Sequence, residues 1–189
     1  MLFVLTSLFA VQAVSASALK FNDTFAQQVG YAHVQQRVTF SQAQTAFENQ
    51  NYTYSARILR SLAQAGHAQA QYLLATQYDL GLGVKRSELL SFHWYKSAAG
   101  AGISIAQHNL AVAYAQGNCV DSDLLKAITW WKRAANAGNT DSQYNLGIIY
   151  AAGRDSIKPD MKKAMKWWRM AALSGDPAAQ FNLGAIYAN

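Results

Sequence analysis

At 189 residues, about half of them hydrophobic, 14% charged and only two proline, the chain has the composition of one folded domain or one repeat array, which excludes a disordered or fibrous protein. A net charge of +6 favours anionic partners but is too mild to argue nucleic-acid binding. The single cysteine, Cys119, excludes an intrachain disulfide and a thiolate metal cluster, so packing must supply the stability.

The first 18 residues, "MLFVLTSLFAVQAVSASA", carry no charge, an apolar run from Leu2 to Ala10, and then small residues ending in Ala16-Ser17-Ala18. This pattern predicts a secretory signal peptide, residues 1–18, cut before Leu19. The run is shorter than the roughly 20 apolar residues a membrane span requires, so no membrane span is expected in the mature chain. No Lys or Arg precedes the apolar core, which points to a start further upstream. The expected location is periplasmic or secreted, and export argues against nucleic acid as well. Residues 19–40 fit no repeat; two short helices or an irregular cap suit them equally.

From residue 41 onward the chain repeats itself. Gly66, Gly102, Gly138 and Gly175 close the segments "SLAQAG", "SAAGAG", "RAANAG" and "MAALSG" at spacings of 36, 36 and 37. Upstream of each glycine stands an apolar or aromatic pair: Ile58-Leu59, Trp94-Tyr95, Trp130-Trp131 and Trp167-Trp168. Downstream come Leu74, Leu110, Leu146 and Leu183, each followed by a small residue and, four residues on, by Tyr78, Tyr114, Tyr150 or Tyr187. The units run about 41–66, 67–102, 103–138 and 139–175, with a partial one at 176–189. Each reads as two helices. Ser142, Leu146 and Tyr150 share one face of the first. In the second, Ala127, Trp130 and Ala134 form the expected packing stripe, its alanines set against the small residue opposite. Asn51, Ser87, Asp123 and Asp160 lie seven residues before the aromatic pairs and are predicted N-caps. The extra residue of the 37-spacing falls between Gly153 and Asp160, in a surface turn.

The segments "SQYNLGIIYAAG" and "DMKKAMKWWRMAALSG" resemble the Sel1-like repeat, a longer relative of the tetratricopeptide repeat. The resemblance spans about residues 41–189, loosest in the first unit, which lacks the tryptophan. Ala75 and Ala111 replace a usual glycine, and Asn118-Cys119 stands where a second glycine is common. The resemblance implies an all-α fold, a right-handed superhelical α-solenoid of antiparallel helix pairs, with first helices lining a concave face. No second helix follows Leu183 and Tyr187, so that end calls for a partner's cover or marks a fragment.

Chemistry is scarce. His33, His67, His93 and His108 occupy equivalent positions in no two repeats and show no ligand spacing, so no metal and no cofactor are expected. Asp121 and Asp123 suit a helix start, where the dipole favours negative charge. Cys119 has no adjacent base to activate it. No phosphate-binding glycine loop and no nucleophile elbow occur, and no catalytic residues are assigned. Of each aromatic pair the first member is expected in the core, and Tyr95, Trp131 and Trp168 are expected partly exposed. Lys162, Lys163, Lys166 and Arg169 make a solvated face or a patch for an acidic partner.

Asn109, Asn145 and Asn182 recur at 36 and 37 off the Leu–Tyr face. Such amides can bond the backbone of an extended peptide in a groove, or hold adjacent turns together; both roles stand. Gln77, Val112, Ile148 and Ala185 lie between leucine and tyrosine and vary on a fixed frame, where specificity would be written. The expectation is a non-enzymatic scaffold of the bacterial cell envelope binding a protein or peptide partner. The rivals are a cell-wall or β-lactam-binding or hydrolysing enzyme, as in the cysteine-rich members of the group, and a secreted effector that engages host proteins.

Overall fold

The computed structural model describes residues 39–188. The predicted signal segment, and residues 19–40 apart from Thr39 and Phe40, lie outside the described residues. Nine α-helices run in chain order among them: α1 Phe40–Glu48, α2 Tyr52–Gln64, α3 Ala68–Leu80, α4 Glu88–Gly100, α5 Ser104–Gln116, α6 Leu124–Asn136, α7 Thr140–Ala152, α8 Met161–Leu173 and α9 Pro177–Tyr187. The main packing is between helices adjacent in sequence. The array is therefore the expected all-α solenoid of helix pairs, built almost entirely on neighbour contacts.

Two junctions alternate, and each has a physical cause. After α2, α4, α6 and α8 the chain turns on Gly66, Gly102, Gly138 and Gly175, at φ of 89°, 94°, 87° and 90°. Only glycine enters that region without a steric penalty. The next amide then reaches back: His67 N–H donates to Leu62 C=O, Ile103 to Ala98, Asn139 to Ala134 and Asp176 to Ala171, at 3.0–3.1 Å. This is the Schellman closure, which satisfies carbonyls a helix end would leave open. His67, Asn139 and Asp176 at once cap the following helix, accepting from Ala70, Ser142 and Ala179 N–H. One residue ends a helix and starts another.

The second junction follows α3, α5 and α7. There the predicted caps bond as expected: Ser87 accepts from Leu90 N–H, Asp123 from Lys126 N–H, and Asp160 from Lys163 N–H, with Asn51 likewise accepting from Tyr54 N–H before α2. Each such cap stabilises by about 1 kcal/mol. The caps' own amides donate to the carbonyls of Tyr78, Tyr114 and Tyr150 at 2.9, 2.8 and 2.7 Å. The recurring tyrosine thus fixes the register of the next helix through its backbone. The added residue of the third full unit sits in the turn after Gly153, where Arg154 and Ile157 pair. Asp121, expected at a helix start, lies two residues before the cap Asp123 and outside the helix.

The second members of the aromatic pairs, expected partly exposed, are buried, and of the first members only Trp167 is in the core as expected. Tyr95, Trp131 and Trp168 are 6%, 5% and 5% exposed, all core residues. The first members are half-buried at Trp94 and Trp130, and buried at Trp167. The stripe of α6 that buries runs through Leu124, Ala127, Ile128, Trp131, Ala134 and Ala135. It is Trp168 that lies over the small residue of the first helix: a Cβ on Gly147 would collide with its indole. Ala75 packs in one cluster with Tyr95, and Ala111 in one with Trp131.

Candidate partner-binding surface

The side chains that recur once per unit divide into those consumed by packing and those left at the surface. Gln71, Gln107, Gln143 and Gln180 belong to the first group. Their amide nitrogens donate to the carbonyls of Ala63, Ala99, Ala135 and Ala172 at 3.1, 3.1, 3.0 and 3.2 Å. Each glutamine ties the start of one helix to the last turn of the helix before it. The bonds of Gln71, Gln107 and Gln143 are buried and that of Gln180 is exposed; a buried bond of this kind contributes about 1 kcal/mol, and more is lost when one partner is deleted.

Asn109, Asn145 and Asn182 are all half-buried and differ in what they bond. Asn109 hydrogen-bonds the Tyr95 hydroxyl, which also lies 3.3 Å from the Thr76 hydroxyl. Burial pushes the Tyr95 pKa well above the ordinary phenol value, the two hydrogen bonds pulling it partly back. In the next units tryptophan replaces that tyrosine. The indole N–H groups of Trp131 and Trp168 are buried without a partner. Among the described residues the side-chain amides of Asn145 and Asn182 have no side-chain partner of the kind Asn109 has. The exchange of phenol for indole removes the hydroxyl acceptor and keeps only an N–H donor, and the amides at the same register are left without that partner.

The residues between leucine and tyrosine are not equivalent. Gln77 is fully buried, and its amide nitrogen donates to Tyr52 C=O at 3.0 Å. It is a strut between α3 and α2 and offers nothing to a partner. It also stands one residue out of register, the matching residue of α3 being Thr76. Val112 is half-buried against the core, Ile148 is 40% exposed, and Ala185 is exposed. The cluster on α8 is likewise divided. Lys163 pairs with Asp160 at 2.8 Å and lies 5.5 Å over the Tyr150 ring. Arg169 donates to the Tyr187 hydroxyl at 2.6 and 3.0 Å. Lys166 lies 5.6 Å from the Trp167 ring centre. Lys162 is exposed.

Four successive stretches, residues 68–103, 104–139, 140–176 and 177–189, match the Sel1 repeat model. The chain belongs to the Sel1 repeat family. Two solved Sel1-type structures superpose with a TM-score of 0.73. One is c5321 of uropathogenic Escherichia coli, described as a protective antigen displaying an SLR fold, 32% identical over 79% of this chain and 34% of its own. The other is a Sel1 repeat protein of Oxalobacter formigenes, 28% identical over 79% of this chain and 60% of its own. This chain therefore spans about a third and three-fifths of their lengths. The cysteine-rich protein HcpB of Helicobacter pylori is similar in fold at 18% identity and a TM-score of 0.50, over 75% of this chain and 95% of its own. No curated protein matches the chain.

Of the histidines of the Sel1 array, His67 and His108 serve its frame. His67 is a helix cap, as described. His108 Nδ1 lies 2.9 Å from the Ser142 hydroxyl, joining α5 to α7. Burial lowers its pKa below the usual imidazole value, with Asp141 opposing. His93 is exposed beside Trp94, and His33 lies outside the described residues. Among the described residues no group of three or more potential metal-ligating side chains comes together. Cys119 is exposed, in left-handed conformation at φ 61°. Its thiol pKa is raised by desolvation and by the Glu88 carboxylate 3.7 Å away, the opposite of the shift that activates a nucleophile.

Proposed function

We propose that this Sel1 repeat protein is a non-enzymatic interaction scaffold, exported to the periplasm or cell surface, which holds a protein or peptide partner against its first helices. In arrays of this family those helices, here α3, α5, α7 and α9, line the concave face. The observation that carries the proposal is the pair of half-buried side-chain amides, Asn145 and Asn182, at one register of successive units with no side-chain hydrogen bond among the described residues. Each offers a donor and an acceptor to a passing main chain, with no demand on charge. Ile148, exposed beside them, supplies an apolar contact that differs from unit to unit. Similarity to a protein described as a protective antigen, together with the leader-like first 18 residues, supports export.

Site-specific photo-crosslinkers at Asn145 and Asn182 test the docking. Both positions should capture the same envelope protein, and a crosslinker at the outward Lys162 should not. Capture of nothing specific at either position, or of the same species at all three, would defeat the scaffold. Export is tested separately by the mass of the chain recovered from the envelope, which should begin at Leu19. Nitrocefin should remain unhydrolysed, because the likeness to HcpB is one of fold alone and the paired cysteines of that group cannot form from Cys119.

A further inference from the structure

A second periodic feature runs along the array, formed by basic side chains of the second helices and the tyrosines of the first. Arg60, Lys96, Lys132 and Arg169 recur at 36, 36 and 37 residues, each 18 residues before a register tyrosine. Arg60 donates to the Tyr78 hydroxyl at 3.2 Å. Lys132 lies 5.8 Å over the Tyr150 ring, and Arg169 bonds the Tyr187 hydroxyl. Lys96 holds the matching place before Tyr114. All four are exposed, and none has a carboxylate within ion-pairing distance among the described residues. The partners of Arg60, Lys132 and Arg169 are neutral phenols, which orient a cation without cancelling it.

Beside Tyr114 lies an open hollow of about 460 Å³, lined among others by Asp123, Leu125, Lys126, Trp130 and Arg133, with Lys126 paired to Asp123 at 2.9 Å. Leu125 is 59% exposed, giving the hollow an apolar wall, with Arg133 at its rim making no ion pair among the described residues. The Arg133 guanidinium already sits 4.5 Å over the Trp130 ring, so the indole face is not open for a sugar to stack on.

We propose that this edge, and not the α8 cluster alone, is a docking strip for an acidic, extended polypeptide, one carboxylate meeting each unit's cation and an apolar side chain filling the hollow beside Leu125. The proposal rests on the scaffold reading above and adds the chemistry of a partner and a second place to hold it. Charge arranged once per unit selects a partner whose acidic residues are spread along its length, and it speeds and orients encounter.

Fluorescence anisotropy on the full chain tests it, with a labelled peptide of repeated Glu-Leu-Glu-Ser as the probe. A Gln-Leu-Gln-Ser peptide and polygalacturonate serve as competitors. The acidic peptide should bind, and more weakly as salt is added. The Lys96→Gln/Lys132→Gln double variant should weaken binding about tenfold, taking each exposed charge pair near the upper end of its usual range. Lys85→Gln/Lys158→Gln, which removes the same charge from the turns, should change it less than twofold, and Leu125→Ser should weaken it severalfold. All variants should melt with the parent, since these side chains are exposed. Equal loss in both double variants would overturn the strip, as would equal binding of the neutral peptide. Tighter binding of polygalacturonate would give the edge to an anionic glycan and overturn the polypeptide. If the acidic peptide fails while the crosslinks at Asn145 and Asn182 persist, the strip falls and the scaffold stands; the reverse result sinks the scaffold's inner face and keeps the strip.

Discussion

Helices α7 and α9 carry nearly the same message, "QYNLGIIY" and "QFNLGAIY", in different surroundings. In α7, Gly147 lies under the Trp168 indole, Tyr150 is 7% exposed and Gln143 3% exposed. In α9, a Cβ on Gly184 would meet nothing within 4 Å, Tyr187 is 62% exposed and Phe181 76% exposed. The motif specifies a face, and the neighbouring helix decides whether that face becomes core. Burial in such an array belongs to pairs of elements and to no single sequence stretch.

The sharpest way to break the comparison is to uncover α7. Trp168→Ala should lower stability by about 4 kcal/mol in chemical denaturation, since it empties a core position and exposes the α7 face. A loss below about 1 kcal/mol would mean that the indole is not the cover. Next, Gly147→Ala should destabilise by about 2 kcal/mol, overpacking outweighing the helical gain of alanine. Gly184→Ala should instead stabilise, by up to about 1 kcal/mol, because only the helical gain remains. Equal signs for the two would refute the contrast.

The same register explains a pH effect. His108 stands where other units have Tyr72, Tyr144 and Phe181, and its pKa is lowered in the folded chain chiefly by burial. Above the unfolded value of about 6.5 both states are neutral and it has no effect. Below that value the unfolded chain binds the proton first. Stability should then fall by up to about 1.4 kcal/mol per pH unit until the folded pKa is passed. His108→Tyr should flatten this part of the profile, and a profile unchanged by the substitution would remove His108 from the account. An effect as small as that at Gly184 is expected in the turns, where Gly83, Cys119 and Asp155 have positive φ, at 68°, 61° and 53°. Relieving the strained side chain by Cys119→Gly should raise stability by about 1 kcal/mol, detected as a shift in the denaturation midpoint.

Much of this was legible because it depends on sequence-local rules. The unit length, the caps Ser87, Asp123 and Asp160, and the turn holding the extra residue follow from spacing and capping chemistry. The buried member of each aromatic pair did not. Trp130 is three residues from Ala127 and four from Ala134, whereas Trp131 is four and three; both spacings keep a side chain on one helical stripe. Leu124, Ile128 and Ala135 break the tie, since they continue the stripe through Trp131 only. Gln71, Gln107, Gln143 and Gln180 were visible as a recurrence, but their acceptors lie across a turn and carry no side-chain signature. The strip of cations is hidden for the opposite reason: read along one helix, Arg169 looks like a member of a local cluster with Lys162, Lys163 and Lys166, and only its bond to Tyr187 of the following helix aligns it with Arg60 and Lys132, which meet Tyr78 and Tyr150 in the same way.

The junction at Gly66, Gly102, Gly138 and Gly175 carries a further consequence. Because one residue closes a helix and opens the next, it leaves no slack to absorb a change in length. Gains and losses of single residues can be tolerated only at the other corner, as the 37-residue unit illustrates. Whole units, by contrast, begin and end on interchangeable stereochemistry, so a duplicated or deleted unit rejoins its neighbours without remodelling. The length of such a rod can therefore drift in steps of one repeat while its cross-section stays fixed.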